Sequence, residues 1–185
     1  GAETGRYLFK QARLSRIEPD QSMLPIKVPN ATPEILLANA FDDEQALLAK
    51  VRYNRLIDLF LGMTAHSLQN HLRTTVKSIG QIEIDELYVG LNRKGSQFIV
   101  PVQAKVGKDQ HGVVQTEQDI SFCREKFPDL ICRPVSVHAL SNNRIAMFEL
   151  TLSGDAIRVI DQKHYMLVPA ADISTDDLRR YGIGE

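Results

Sequence analysis

The residues able to do chemistry in this chain sit in two short runs, "GQIEIDELY" (80–88) and "PVQAKVG" (101–107). In the second run Gln103 and Lys105 stand between Val102, Ala104 and Val106, so an amide and an ammonium share one face of a strand whose other face is apolar. In the first run Glu83 and Asp85 have the same spacing. "NRKGS" (92–96) joins the runs as turn material, and Gly95 suits the left-handed position of a three-residue hairpin loop. That loop sets Asn92 opposite Ser96, which puts Asp85 opposite Gln103 and Glu83 opposite Lys105. All four side chains then project from one face. Ile82, Ile84, Tyr88, Val100, Val102, Ala104 and Val106 form the other.

A carboxylate, an amide oxygen and the backbone carbonyl of Ala104 are hard donors suited to Mg²⁺. An ammonium beside them can orient an attacking water and balance phosphate charge. Metal-assisted phosphodiester hydrolysis needs these parts. The plain alternative is a solvated edge strand with a snorkelling lysine, a place where Pro101 would be tolerated. Glu83 is open between a second metal carboxylate and a salt bridge to Lys105. Glu86 falls on the core face, where it caps the strand end or reaches solvent.

The elements that position these residues follow from periodicity. Residues 18–33, with four prolines, read as an irregular arm, and the whole of 1–33 is grouped with it. A helix starts at Asp42 or Asp43 as N-cap, carries Leu47, Leu48, Val51, Leu56 and Phe60, and stops at Gly62. A second helix is expected over 67–77, with Leu68, Leu72 and Val76 on one stripe. The hairpin comes next, with a bulge expected at Pro101. A helix on Val113, Ile120, Cys123 and Phe127 follows and is ended by Pro128. Strands are expected over 131–139, 144–152 and 156–168, then a short helix led by Ser174 or Thr175. Asp109 reads as a charge at a helix N-terminus, and Asp155 with Gly154 as a turn. The order suggests one α/β domain over 1–185 with a mixed sheet.

Bulk properties narrow the classes. With 185 residues, 43% hydrophobic and 24% charged, the chain fits one ordinary globular domain. The net charge of −1 does not advertise a nucleic-acid partner, although a carboxylate-bearing site can offset a basic groove. One stretch is basic: 50–77 holds Lys50, Arg52, Arg55, Arg73 and Lys77 against Asp58 alone. Arg52, Asn54, Arg55, His71 and Arg73 are its candidate DNA contacts, against the plainer reading of solvated helix faces. Cys123 and Cys132 lack the spacing of a zinc cage and fit a reducing, cytoplasmic compartment. His111, His138 and His164 show no HExxH spacing and read as structural or exposed. No apolar run approaches a membrane span. The opening "GAETG" lacks a methionine and reads as an expression remnant or the edge of a longer protein, so residues 1–5 are set aside.

Asp85 on one strand, followed by Gln103-Ala104-Lys105 on the next, resembles the PD-(D/E)xK nuclease superfamily, restriction-endonuclease-like, in its glutamine form (D…QxK). Ile84 stands where the family's proline would be, and Gln103 where many members carry an acid. The resemblance covers 44–152 and includes "GQIEID" and the helix bearing Gln115 and Gln118. It implies a restriction-endonuclease-like core, with a mixed central β-sheet flanked by α-helices. It also implies an Mg²⁺-dependent endonuclease acting on double-stranded DNA, as a restriction enzyme or its cleavage domain. Asp85 would bind the metal, Gln103 would complete its shell, and Lys105 would position the nucleophilic water. Glu83 is an extra carboxylate, and Glu44 joins only if the first helix packs close. Cutting both strands calls for a homodimer or partner subunit. Two alternatives stay open: a binding or scaffold domain that keeps the fold without activity, and a repair or junction nuclease.

Overall fold

The computed structural model describes residues 16–77, 79–108, 111–154 and 156–183. Asp109 and Asp155, and the opening residues, lie outside that set. The chain opens with β1 (Arg16–Ile17) and β2 (Ile26–Pro29), followed by three short helices, α1 (Glu34–Asn39), α2 (Glu44–Tyr53) and α3 (Leu56–Leu61). Three long strands come next: β3 (Thr64–Val76), β4 (Gly80–Leu91) and β5 (Gln97–Lys105). Then come β6 (His111–Gly112), α4 (Val113–Lys126), β7 (Ile131–Cys132), β8 (Val135–Ala139), β9 (Arg144–Ser153), β10 (Ala156–Val168) and α5 (Thr175–Gly182). The main sheet runs β2-β10-β9-β8-β5-β4-β3, with β7 also beside β5. It is mixed: β2 lies parallel to β10, and β5 parallel to β7 and β8, while the other pairs are antiparallel.

Helices cover both faces. Leu47, Leu48 and Val51 of α2 and Leu56, Ile57, Phe60 and Leu61 of α3 pack on Tyr88, Val100, Val102, Ala104, Val135 and Val137. On the opposite face α4 brings Phe122 and Cys123 onto Ile82, Ile84, Leu87 and Ile99, and Ile120 onto Phe148 and Leu150. The result is a mixed α/β fold with a curled sheet between helices.

Four expectations are corrected. The single helix ending at Gly62 is two helices, because Arg55 takes a left-handed conformation (φ 50°) and Asn54 turns its side-chain amide onto the Lys50 carbonyl. Residues expected as a helix over 67–77 belong to the strand β3, paired with β4. A four-residue interval is even, so Leu72 and Val76 share a face on a strand as well as on a helix, and both pack against Ile82 and Ile84. The arm is not wholly irregular, since Ile26–Pro29 aligns with Tyr165–Val168. Finally, Ile82 and Ile84 face α4, whereas Tyr88, Val102 and Ala104 face α2 and α3.

The hairpin turn is as expected, with Gly95 at φ 81° and the Asn92 N–H donating to the Ser96 carbonyl. Its register holds from Leu91–Gln97 down to Glu86–Val102 and ends there, before Asp85 and Gln103. In place of a bulge, Pro101 falls where the parallel neighbour of β5 changes from β7, beside Phe98 and Ile99, to β8, whose pairing with β5 starts at Val102. A residue without an N–H fits that gap. Among the described residues no helix is long and apolar enough to cross a membrane.

Candidate functional site

Asp85 sits where the β4–β5 ladder opens, and its Oδ2 accepts from the Ala104 N–H at 2.7 Å. It is buried, and burial raises its carboxyl above the usual range; the Ala104 N–H and the nearby Lys105 oppose that rise. Gln103, also buried, points toward α4. Its Nε2 donates to the Glu83 backbone carbonyl (3.0 Å) and to Asp119 (3.2 Å to Oδ1, 3.1 Å to Oδ2).

Lys105 ends β5 with its Nζ 3.5 Å from Glu44 Oε1. Glu44 opens α2, whose N-cap Asp43 accepts from the Ala46 N–H at 2.8 Å. That cap fixes where the helix starts and so sets Glu44 over the strand end. The condition for Glu44 to join the site, that α2 packs against β5, is met.

Glu83 is placed differently from the hairpin expectation. It is half exposed and pairs with His71 Nδ1 (3.1 Å) and Arg73 Nε (3.2 Å) on β3, while the ion pair of Lys105 is to Glu44. Gln115 is spent at the start of α4, where its Oε1 accepts from the Gly112 N–H at 3.3 Å.

The five candidate DNA contacts divide. His71 and Arg73 lie on β3 beside Glu83, exposed and close enough for His71 to act on the Asp85 charge. Arg55 pairs with Asp58 on an exposed corner. Arg52 donates from Nε to Glu86 Oε1 at 2.8 Å. Asn54 is corrected: it is buried, accepts from the Ala31 N–H at 2.7 Å and donates to Thr32 Oγ1 at 2.8 Å, so its amide ties down the arm and does not face solvent. Glu86 does not reach solvent either. It is fully buried, and Ser67 Oγ adds a second hydrogen bond at 2.5 Å.

Sequence reasoning missed Asp119, which is 2% exposed. Burial pushes its carboxyl up to about 8, with the Gln103 amide opposing the rise. The signal was present in α4, where Thr116, Asp119, Ile120 and Cys123 occupy one buried stripe. An acid at a core-facing helical position is uncommon unless it has a partner. Two more buried groups line this side. His138 stands opposite Lys105 across β5–β8 and meets Ser136 Oγ at 2.8 Å, and His111 Nε2 meets Thr116 Oγ1 at 2.5 Å. Burial, with Lys105's charge contributing, lowers them to about 4 and about 3. His164 is buried as well, so none of the three histidines is exposed.

Among the described residues no three Asp, Glu, His or Cys side chains group as a metal cage. The oxygen donors that could hold a cation are the Asp85 carboxylate, bonded to the Ala104 N–H, with the Ala104 carbonyl and the Gln103 side chain on the adjoining strand. That set suits Mg²⁺, which keeps several waters and takes one or two carboxylates. The desolvated Asp85 carboxyl would gain from a cation beside it. Comparison with protein-family models, curated proteins and solved structures gives no match.

Proposed function

We propose that this chain is an Mg²⁺-dependent DNA endonuclease of the PD-(D/E)xK type in its D…QxK form, serving as a restriction enzyme or its cleavage domain. One observation carries the reading: Asp85 bound to the Ala104 N–H, and Lys105 beside Glu44, meet where the β4–β5 ladder ends. The layout supports it too, because the Asp85 strand, the Gln103-Ala104-Lys105 strand and a helix over the same sheet face follow in the order the resemblance implies.

Asp85, the Ala104 carbonyl and Gln103 would hold the metal. When bound, Mg²⁺ supplies Lewis-acid polarisation of the scissile phosphate. Lys105 donates to the attacking water and keeps it in line with the phosphorus. Glu44 holds the Lys105 ammonium at the strand end. His71 and Arg73 offer sequence-independent contacts to flanking phosphates. Two copies, or a partner subunit, would be needed to cut both strands of a duplex.

The test is digestion of mixed-sequence plasmid and genomic DNA, methylated and unmethylated, with Mg²⁺ or with EDTA. Discrete fragments that need Mg²⁺ and vanish in Lys105→Ala are the expected result. A smear that depends on substrate shape and not on sequence would shift the reading to a repair or junction nuclease. Folded protein that shifts DNA yet cuts with neither Mg²⁺ nor Mn²⁺ would make it an inactive binding domain.

A further inference from the structure

We infer that Asp119 is a positioning residue that fixes the side-chain amide of Gln103 so that its oxygen, and not its nitrogen, is presented to the metal; this rests on the endonuclease reading above. Gln103 is 2% exposed and Asp119 is 2% exposed, so no bulk water competes for their contacts. The Gln103 nitrogen carries two hydrogens. One contact is the Glu83 backbone carbonyl at 3.0 Å, and the other is the Asp119 carboxyl, both of whose oxygens lie within 3.2 Å. A backbone carbonyl can only accept, so a flipped amide would press oxygen against oxygen there. With both donors consumed, the side chain has only Oε1 left to offer.

A glutamine free to turn would lose side-chain entropy each time it brought its oxygen to a cation. Held from α4 and β4 together, it behaves as a fixed neutral oxygen donor. A buried orienting partner of this kind typically changes metal affinity by about 10- to 100-fold when removed. The same arrangement makes an acid at 103 unwelcome. Gln103→Glu would set one oxygen against the Glu83 carbonyl, which can only accept, and the other against the Asp119 carboxyl, where two buried acids hold a proton that competes with the metal. The glutamate common in the family motif should therefore bind metal worse here as long as Asp119 is present.

Mn²⁺ titration of the full chain without DNA, followed by electron paramagnetic resonance, tests this, with thermal unfolding as the control for folding. Asp119→Leu should weaken Mn²⁺ uptake by about 10- to 100-fold, and Asp119→Asn, which keeps one acceptor, should recover most of it. Gln103→Glu should bind less tightly than wild type, and adding Asp119→Asn should reverse that sign. Gln103→Glu binding more tightly with Asp119 in place would overturn the inference. Side-chain ¹⁵N spectra give a readout independent of metal and of cutting. Two slowly exchanging Gln103 amide protons, lost in Asp119→Leu, support the inference, and rapidly exchanging protons in wild type overturn it. Failure of wild type to cut DNA overturns the endonuclease reading alone.

Discussion

Asp85 Oδ2 accepts a 2.7 Å hydrogen bond from the Ala104 N–H immediately beyond Glu86–Val102, the last regular pair of the β4–β5 ladder. A side chain has taken over a contact that a strand backbone would ordinarily make. The carboxylate is thereby anchored by one oxygen to the strand that carries Gln103 and Lys105, and strand separation at this point becomes a designed opening between the two motif halves.

Lys105 is the side chain whose loss should silence the reaction. Lys105→Ala should lower the initial rate of supercoiled-plasmid nicking by about 10²-fold or more, the cost of removing a donor aimed at developing charge. Glu44→Gln should lose about tenfold, because it leaves the ammonium in place and weakens its 3.5 Å partner. Equal losses in the two variants would argue that Glu44 does more than hold Lys105. Unchanged circular dichroism is the control for folding.

Stability should depend more on Glu86 than on any exposed pair. Arg52→Leu strands a fully buried carboxylate and should cost about 3 kcal/mol in urea unfolding, at the low end for buried pairs because Arg52 is itself partly exposed. Arg73→Ala removes an exposed partner of Glu83 and should cost less than about 1 kcal/mol. If the two losses proved equal, the Arg52–Glu86 pair would not be a structural anchor.

Stability should peak near pH 6.5. His138 and His111 titrate at about 4 and about 3 when folded against an ordinary 6.5, so the unfolded chain binds more protons below 6.5 and stability falls as pH drops through that window. Asp119 has the opposite sign. Its folded value of about 8 lies above the ordinary 3.8, so its contribution is present below 3.8 and is lost as pH rises toward 8. Below 6.5 the lowered histidines, His164 with the other two, outweigh the raised acids Asp119 and Asp85, and above it the decline from the acids is what remains. Urea midpoints from pH 4 to 9 should rise and then fall, and Asp119→Asn should reduce the alkaline decline.

DNA affinity should carry the mark of β3. Removing Arg73 should weaken binding to all sequences alike and reduce the slope of log K against log salt by about 1. Asn54→Ala, by contrast, should leave that slope alone and lower thermal stability, since the buried Asn54 side chain bonds to Ala31, Thr32 and Lys50. A salt slope that moved with Asn54 would contradict its buried position.

Local chemistry made the hairpin legible: Gly95 dictated the loop, and the loop dictated the register as far as Glu86–Val102, one residue short of Asp85 and Gln103. Legibility ended where contacts are long-range. Leu68, Leu72 and Val76 are spaced equally well for strand and helix, and only pairing with β4 decides between them. The partner of Lys105 depended on how α2 docks, and that docking rests on buried Leu47, Leu48 and Val51 and not on anything beside Glu44. Asp119 was hidden because a lone acid among helical residues looks like solvent-facing charge until the stripe it occupies is known to be covered.

Among the described residues the 13-residue strand β3 ends the sheet with pairing on one side, so a row of backbone donors and acceptors is turned toward any other chain that approaches. Such a rim invites end-to-end growth into fibrils. Here the rim is interrupted twice, by the shift in pairing between Ser67 and Gln69 and by the left-handed backbone of His71. Arg73 and Lys77 add like charges farther along. The kinks beside the proposed cleavage site therefore also keep copies of the protein from zipping together in a crowded solution.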